Sequence, residues 1–226
     1  MFGDFDEGVL LLLDKPYGWT SADLVRKVKN LFKIKKIGHA GTLDPLASGM
    51  MILCTGKWTK KLDSFQALEK EYTGVLRLGE HRPSYDLETE ILETKACNHI
   101  TIDDVKAAAK QLTGIISQVP PLYSAVKING KRAYEYARSG EQQEIKSREV
   151  TVSLFEIEKK EANEVWFRVV CSKGTYIRSL VRDVGAILEC GAVMTELVRS
   201  RIGEYTLAKA YNVSQLTEIA KQEKAK

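Results

Sequence analysis

Asp44 is the residue in this sequence whose type and setting best suit chemistry. It lies in the segment 37–49 (IGHAGTLDPLASG), which has no sustained periodicity and contains three glycines and one proline. That composition predicts a loop with unusual backbone angles, and Pro45 disfavours helical geometry at Asp44. Because Leu43 and Leu46 are apolar, a buried carboxylate here would need a cationic or hydrogen-bonding partner. An Asp-Pro pair can also form an ordinary turn, and both interpretations stay open at this point.

Two arginines are candidates for that partner. Arg178 and Arg182 are four residues apart in the segment 175–189, so a helix would place them one turn apart on one face. The apolar residues of this segment recur with helical spacing, and they are Ile177, Leu180, Val181, Val184, Ile187 and Leu188. We therefore expect an amphipathic helix that presents both guanidinium groups on the same side.

Motifs of the common nucleotide and hydrolase enzymes are incomplete. The segment 54–57 resembles the end of a P-loop, but the glycine spacing is wrong and Trp58 replaces the Ser or Thr that would hold Mg²⁺. The segment 38–41 lacks the GxGxxG spacing of a dinucleotide site. No GxSxG motif occurs in the chain, so a hydrolase triad has no anchor.

The sequence also predicts no metal site. Its three histidines (His39, His81 and His99) are dispersed, and its four cysteines (Cys54, Cys97, Cys171 and Cys190) form no CxxC pair. The cysteines stand mostly in apolar surroundings. We expect them to be small buried hydrophobic residues.

The positive charge is concentrated, although the net charge of +4 and the pI near 8.7 are only mildly basic. One run contains Arg26, Lys27, Lys29, Lys33, Lys35 and Lys36 without an acidic residue between them. Further cations follow at Lys57, Lys60, Lys61, Lys173, Arg178, Arg182, Arg199 and Arg201. This pattern favours a surface that follows phosphates, with a merely solvated face as the alternative.

No segment predicts a membrane or secretory protein. The longest apolar run, Val9–Leu13, is far shorter than the ~18 residues of a membrane-spanning helix. The N-terminal segment MFGDFDEG is acidic, unlike a signal or transit peptide. We expect a cytoplasmic protein.

Periodicity predicts a mixture of strands and helices. Strands are expected over 8–13, 50–54, 70–79, 150–158, 164–171 and 193–198, and helices over 22–35, 57–65, 101–112 and 175–189. Thr20 or Ser21 is the expected cap of the first helix, and Thr101 with Asp104 resembles a capping box. The regular strand–helix alternation of dinucleotide-binding folds is missing. The fold class is therefore α+β, with a mixed, largely antiparallel sheet and flanking helices.

Residues 118–148 form an expected arm. They mix prolines, aromatic residues and charges without a clean period. The pair Asn129-Gly130 predicts a turn, so 123–135 is an expected hairpin that carries Lys127, Lys131 and Arg132. Ordinary packing with charged tips is the alternative for this segment.

Five separated blocks carry a resemblance to a known family. They are LLLDKPYGWTS at 11–21, GHAGTLDPLASG at 38–49, KEYTGVLRLG at 70–79, PPLYSAVKINGKRAY at 120–134 and CSKGTYIRSLVRDVG at 171–185. In this order they resemble the TruB family of tRNA pseudouridine synthases and extend from residue 11 to residue 185 of the 226 residues. The resemblance implies the pseudouridine synthase fold, with an RNA-contacting arm at about 118–148.

The resemblance also implies the reaction. Members of the family convert a uridine to pseudouridine in the T loop of tRNA, at the position conventionally numbered 55. The base is detached from its sugar, rotated and rejoined through carbon, without a metal or a cofactor. Asp44 matches the catalytic aspartate, and Arg178 matches the arginine that pairs with it. The first step stays open, because Asp44 can attack the sugar C1′, attack the base or remove a sugar proton.

Four further residues match the walls of the base pocket. Tyr72 matches a tyrosine that stacks on the target base and can handle protons, and His39 matches a histidine that lies against the extruded nucleotide. Tyr176 and Leu197 match residues that line the pocket. These types fit the chemistry, since a flipped base is received by aromatic and apolar walls. Without the resemblance each would be read as a core or loop residue. Lys15 and Pro16 are expected to support the site without a catalytic role.

Contacts to RNA and the domain limits complete the expectations. Candidate backbone contacts are Lys27, Lys33, Lys36, Lys127, Lys131 and Arg132, which suit recognition through shape and phosphates. The partner is the T arm of tRNA, and the protein is expected to be a monomer. Residues 1–210 should form the catalytic domain and 211–226 a short polar helix from Ser214 with a tail, without a PUA domain. Val198 departs from the family, which often has an arginine after the pocket leucine.

Two other functions remain open from the sequence. A non-catalytic RNA-binding module or folding chaperone would keep its RNA handling after loss of Asp44. A carboxylate-based nucleoside hydrolase would need a second carboxylate in an acid role, and the sequence offers no obvious one.

Overall fold

The computed structural model describes residues 2–124, 126–128, 130–139, 141 and 143–224. In the described residues the strands are β1 (Leu10–Lys15), β2 (Ile37–His39), β3 (Ser48–Thr55), β4 (Lys70–Leu78), β5 (Glu80–His81), β6 (Glu93–Thr94), β7 (Gly114–Gln118), β8 (Lys127–Ile128), β9 (Lys131–Arg132), β10 (Arg148–Glu161), β11 (Glu164–Cys171), β12 (Ala192–Ile202) and β13 (Tyr205–Thr206). The α-helices are α1 (Ser21–Leu31), α2 (Leu62–Ala67), α3 (Ile102–Gln111), α4 (Ala133–Arg138), α5 (Ile177–Ile187) and α6 (Val213–Lys224). Short 3₁₀ helices cover Gly56–Lys61 and Leu207–Lys209.

The main sheet is mixed, as predicted. Its order is β1-β3-β12-β4-β11-β10-β7, with β2 added to β3 and β13 added to β12. The pair β3–β12 is parallel, whereas β1–β3, β2–β3, β12–β13, β10–β11 and β7–β10 are antiparallel. Among the described residues, none of the helices has the length and apolar character that a membrane-spanning segment needs.

The chain divides into two compact units. The first unit comprises Met1–Tyr72 and Leu197–Lys226, and the second comprises Thr73–Glu196. A core of the first unit contains Ala40, Met50, Ile52, Cys54 and Ile202. In the second unit, fully buried side chains lie on β11 (Val165, Phe167 and Val169) and α5 (Leu180, Val181 and Val184). All four cysteines are buried and free, as expected.

Helix α1 begins where its sequence predicts and ends four residues earlier than expected. The Thr20 hydroxyl accepts the Asp23 N–H at 3.1 Å, and the Asp23 carboxylate accepts the Thr20 N–H at 3.0 Å, which completes a capping box. At the other end Lys33 adopts a left-handed φ of 54°. The Ile34 N–H then donates to the Lys29 carbonyl at 2.9 Å, closing a Schellman motif. A non-glycine residue in the left-handed position is why periodicity alone placed the end at residue 35.

The prediction of a loop over the whole of 37–49 is wrong at both ends. Residues 37–39 form β2, which pairs antiparallel with β3 from Ile37 opposite Thr55 to His39 opposite Leu53. Strand β3 already begins at Ser48. The true loop is residues 40–47, here called the Asp44 loop. Glycines that look like loop formers are used inside strands, where the partner backbone approaches closely.

Other boundaries also differ. Strand β1 runs through Lys15 rather than stopping at residue 13, and β12 extends over 192–202 rather than 193–198. Helix α5 buries its predicted apolar face except at the C-terminal end, where Ile187 is 36% exposed. The predicted helix over 57–65 is a 3₁₀ turn followed by α2. The predicted hairpin appears as β8 and β9, although Asn129 lies outside the described residues.

Candidate active site

The Asp44 loop connects two strands that both belong to the first unit. Its N-terminal end is fixed by the Ala40 N–H, which donates to the Ile52 carbonyl at 2.9 Å. A tight turn follows Asp44, whose carbonyl accepts the Ala47 N–H at 3.1 Å. Just beyond it, Gly49 has a φ of +106°, and a Cβ there would lie 2.5 Å from the Arg199 carbonyl oxygen. Only glycine fits this point, so the end of the loop is fixed where β3 meets β12.

Arg199 on β12 binds main-chain carbonyls of the Asp44 loop and of the start of β3. Its side chain is 1% exposed, and its Nε donates to the Met50 carbonyl at 2.7 Å. The two terminal nitrogens reach the carbonyls of Thr42 and Gly41 at 3.4 and 3.3 Å. The sequence suggested Arg199 only as one of many cations for a phosphate-binding surface, and that interpretation is wrong. This guanidinium instead supplies three donors to main-chain oxygens of the loop and of the buried Met50 that follows it.

Lys15 binds the other side of the same loop. Its side chain is fully buried, and its Nζ donates to the carbonyls of Trp19, Pro16 and Pro45 at 2.6, 3.1 and 3.4 Å. The Pro45 carbonyl also accepts the Gly18 N–H at 2.9 Å. Lys15 thus supports the residue next to Asp44, as expected from its position just after the predicted strand 8–13.

One row of the sheet carries both buried cations. Lys15 on β1 is the Cα partner of Gly49 on β3, and Gly49 is the partner of Arg199 on β12. Helix α1 adds a third anchor, because the Ser21 hydroxyl accepts the Leu43 N–H at 2.9 Å and donates to the Leu43 carbonyl at 3.2 Å. The backbone on each side of Asp44 is therefore held by side chains from three elements, which preorganises the half-buried carboxylate.

The buried position of Lys15 makes the stability of the protein depend on pH. Burial lowers the pKa of Lys15 from 10.5 to about 8, with the negative charge of Asp44 opposing and the positive charge of Arg199 assisting the shift. Between about 8 and 10.5 the unfolded chain holds a proton on Lys15 that the folded chain has released. Folding therefore becomes more favourable as the pH rises through this range.

Between about pH 7 and about pH 9.5, we expect the free energy of unfolding of the wild type to rise relative to that of Lys15→Met. Urea unfolding of both proteins at the two pH values measures this difference. Lys29→Met, on the exposed face of α1, is the matched control. A difference that stays constant across the range, or that moves in the opposite direction, would contradict the effect of burial on Lys15.

The structure places three more predicted site residues in the first unit. His39 is half-buried at the end of β2, and burial lowers its pKa, with the Gly41 backbone opposing and the charge of Arg199 assisting. Its Nδ1 has no hydrogen-bond partner among the described residues. Tyr72 on β4 is 9% exposed and Leu197 on β12 is 6% exposed. Both are buried in the way that a pocket wall or a core residue would be.

Arg178 lies at the start of α5 in the second unit and is 3% exposed. Its Nη1 donates to the Ser84 carbonyl at 3.0 Å, and its Nη2 donates to the Tyr123 carbonyl at 2.8 Å. Its Nε lies 3.5 Å from the Asp86 carboxylate, which is only 2% exposed. Arg182, the second candidate partner, donates instead to its neighbour Asp183 at 2.8 Å. Arg182 also donates to the Val119 carbonyl at 3.1 Å, so the two arginines differ in burial: the side chain of Arg178 is 3% exposed and that of Arg182 is 22% exposed.

Sequence reasoning missed Asp86. It stands in the irregular segment 82–92, between two short strands, with no periodicity that would predict burial. Its Oδ1 accepts the Glu88 N–H at 3.0 Å, so one oxygen orders the local turn while the other faces Arg178. A buried carboxylate and guanidinium hold each other in place, because removing either one would leave an uncompensated charge.

Tyr176 directly precedes α5 and is half-buried. Its main chain is bound by the side chain of Gln118, and the guanidinium of Arg148 lies over its ring at 4.8 Å from the centroid. The sequence offered no signal for either contact. The structure therefore adds two residues next to a predicted pocket residue.

The predicted RNA contacts have different surroundings. Lys33 and Lys36 are exposed and Lys27 is half-buried, whereas two other cations of the first unit are paired with the acidic N-terminal turn. Lys35 binds Asp6 at 2.9 Å, and Lys57 binds Glu7 at 2.8 Å. The basic surface of this unit is therefore partly neutralised.

In the arm of the second unit, the two predicted RNA contacts whose side chains are described are exposed to solvent. Lys131 and Arg132 are exposed, and the Lys131 Nζ lies 3.9 Å from the Glu141 carboxylate and 4.5 Å from the centroid of the Tyr136 ring. The side chain of Lys127 lies outside what the structure describes. In the described part of the chain, no three His, Cys, Asp or Glu side chains gather at one point.

Comparison with known families gives the class of protein. Residues 29–177 match the model described as TruB family pseudouridylate synthase (N terminal domain), and residues 178–226 match the model described as tRNA pseudouridylate synthase B C-terminal domain. Both models describe pseudouridylate synthases, in agreement with the class that the five sequence blocks resemble.

Curated relatives give the family. The tRNA pseudouridine synthase B of Flavobacterium johnsoniae is 47% identical over 222 residues, which are 95% of this chain and 97% of that one. The protein of the same name from Parabacteroides distasonis is 47% identical over 225 residues, or 97% of this chain and 96% of that one. The chain belongs to the TruB family of pseudouridylate synthases.

A solved structure supports the fold. The structure described as an H/ACA RNP bound to a substrate RNA containing 2′-deoxyuridine matches with a TM-score of 0.73 at 26% identity. The match covers 98% of this chain and 56% of that chain, so this chain spans little more than half the length of that one. The predicted pseudouridine synthase fold is confirmed.

Proposed function

We propose that the chain isomerises uridine to pseudouridine in the T loop of tRNA, at position 55, with Asp44 as the nucleophile or base. The observation that carries the proposal is the Asp44 loop, whose carbonyls at Gly41, Thr42 and Pro45 accept from two buried cations, Arg199 and Lys15, in a chain of the TruB family. A loop fixed to this degree holds a half-buried carboxylate in one position, as a group that must meet a reacting atom requires.

The reaction exchanges one bond for another. The bond between C1′ and N1 of the uridine breaks, a bond between C1′ and C5 forms, the hydrogen on C5 leaves as a proton to solvent, and N1 takes up a proton from solvent, so the product is an isomer of the substrate. No electron is gained or lost overall, so the proposed chemistry calls for no redox cofactor. Asp44 supplies negative charge and an oxygen nucleophile, and the other groups orient the uridine and exclude water.

The other predicted residues have supporting roles in this proposal. Asp86 and two carbonyls fix Arg178, which we assign, from the resemblance to the family, as the partner of the catalytic carboxylate. Tyr72 stacks on the extruded base, and His39, Tyr176 and Leu197 line its pocket. The low exposure of Tyr72 and Leu197 fits apolar walls that receive a base.

Docking of the T arm uses cations from both units. Lys27, Lys33 and Lys36 serve the first unit, and Lys127, Lys131 and Arg132 serve the arm at 118–148. Recognition through phosphates and shape suits dispersed lysines. We further propose that the protein acts as a monomer in the cytoplasm.

A tritium-release assay tests the proposed function. The substrate is a T-arm stem–loop with uridines labelled at C5, and its control is the same RNA with cytidine in place of the uridine at position 55. The wild-type protein should release one tritium per labelled stem–loop, and none from the control. Tight binding without release would favour an RNA-binding module, whereas release of free uracil would favour a nucleoside hydrolase.

A further inference from the structure

We propose that Gln118 and Arg148, which face each other across β7 and β10, are positioning residues for Tyr176. Gln118 holds its main chain and Arg148 holds its ring. The inference rests on the proposed function, in which Tyr176 lines the pocket for the flipped uridine. Neither residue is assigned to touch the base. Their effect on the rate therefore passes through Tyr176.

Gln118 binds the main chain of Tyr176 at two points. Its side chain is fully buried, its Oε1 accepts the Tyr176 N–H at 2.8 Å, and its Nε2 donates to the Tyr176 carbonyl at 3.1 Å. Tyr176 has an extended backbone, with φ of −97° and ψ of 114°, and the residue that follows begins α5. The planar amide thus makes the same pair of hydrogen bonds to Tyr176 that a residue of a neighbouring β-strand would make. It fixes both the position and the rotation of the peptide units around Tyr176.

Arg148 binds the ring of the same residue. Its Cζ lies 4.8 Å from the ring centroid, within the range of a cation–π interaction, and its Nη2 donates to the Gly174 carbonyl. Its buried Nε has no hydrogen-bond partner among the described residues. The Gly174 carbonyl and the Tyr176 ring are therefore the contacts that orient the guanidinium. Gly174, with a φ of +82°, lets the backbone reach Arg148.

A single rung of the sheet carries both contacts. Arg148 is the Cα partner of Gln118 in the antiparallel ladder of β7 and β10. The main chain and the ring of Tyr176 are therefore held from two directly paired positions of one ladder. Such an arrangement removes rotamers that would leave the pocket wall open, so the free protein already has the geometry that the base requires.

A double-mutant cycle tests the inference. Single-turnover tritium release and RNA affinity are measured for Arg148→Met, Tyr176→Leu and the double variant. Arg148→Lys keeps the charge but loses the planar stack, and Gln118→Glu keeps the size but loses the donor to the Tyr176 carbonyl. The matched control is Arg168→Gln, which removes a half-buried arginine bound to Glu156 on the same sheet.

We expect Arg148→Met to slow single-turnover release by roughly 10- to 100-fold, with RNA affinity changed by less than about 3-fold. In the Tyr176→Leu background the same change should cost less than about 2-fold, because its target ring is gone. The release rates of Arg148→Lys and Gln118→Glu should lie between those of the wild type and Arg148→Met. The release rate of Arg168→Gln should equal that of the wild type. This non-additivity is the readout that a general loss of stability would not produce.

Two results would overturn the inference alone. One is additive effects of Arg148→Met and Tyr176→Leu in a protein whose wild type releases tritium. The other is a loss confined to RNA affinity with a shallower salt dependence, which would make Arg148 a direct ligand of a phosphate. No release from the wild type would instead overturn the proposed function and, with it, this inference.

Discussion

Replacing Asp44 by asparagine is expected to reduce tritium release by at least about 10³-fold, or about 4 kcal/mol of transition-state stabilisation. Asparagine has the same size but is neutral, so it can neither attack a carbon nor accept a proton as a carboxylate does. The loop around it should persist, because the hydrogen bonds of Lys15, Ser21 and Arg199 go to main-chain atoms. RNA affinity should therefore change by less than about 3-fold.

Asp63→Asn is the matched control for this prediction. Asp63 lies in the exposed first turn of α2 in the same unit, so its replacement should leave release unchanged. The measurement is single-turnover release together with filter binding of the T-arm RNA. Release that persists at the wild-type rate in Asp44→Asn would refute the assignment of Asp44, while the proposed reaction itself would stand.

Replacing Arg199 by methionine is expected to damage both stability and rate. Methionine fills much of the volume but leaves the carbonyls of Gly41, Thr42 and Met50 without their donors. The loss of three hydrogen bonds from a charged donor, one of them to the fully buried Met50, should lower the free energy of unfolding by about 3 kcal/mol. The loop that holds Asp44 then loosens, and release should slow by about 10²-fold even at temperatures where the protein stays folded.

Arg201→Met separates this effect from the loss of any arginine on β12. Arg201 lies two residues further along the strand, its side chain is 27% exposed, and it binds Glu69 and Glu71. Its loss should cost about 1 kcal/mol or less and should leave the rate unchanged. Urea unfolding and single-turnover release are measured for both variants. Equal losses in the two variants would show that the buried hydrogen bonds of Arg199 have no special role.

Local sequence patterns were sufficient to predict most of the helices and strands of this chain. The capping boxes at Thr20 and Thr101 combine a hydroxyl with a carboxylate three residues later, and both are present. The strands β4, β10 and β11 likewise follow the predicted segments, although β10 is longer. These features depend on neighbours within one turn or one strand, which is why the sequence alone predicts them.

The contacts that build the candidate site depend on pairs far apart in the chain. Arg199 meets Met50 across 149 positions, and Gln118 meets Tyr176 across 58. Strand β12 was predicted too short because a buried arginine inside it looks like a surface residue. The Asp86–Arg178 pair was not predicted for the same reason, because the sequence does not show whether a charged residue is buried. The resemblance to the TruB family predicted the positions of the candidate site residues, but not the side chains that hold them.

The acidic N-terminal turn affects how ionic strength would report on RNA binding. Asp6 and Glu7 already neutralise Lys35 and Lys57 in the free protein. A phosphate that binds either lysine must displace the carboxylate of Asp6 or Glu7. The complex then gains a phosphate contact, but the displaced carboxylate is left unpaired and attracts a cation from solution. The slope of affinity against salt counts net ion release. Such a slope would therefore give a lower bound on the number of phosphates that this surface touches.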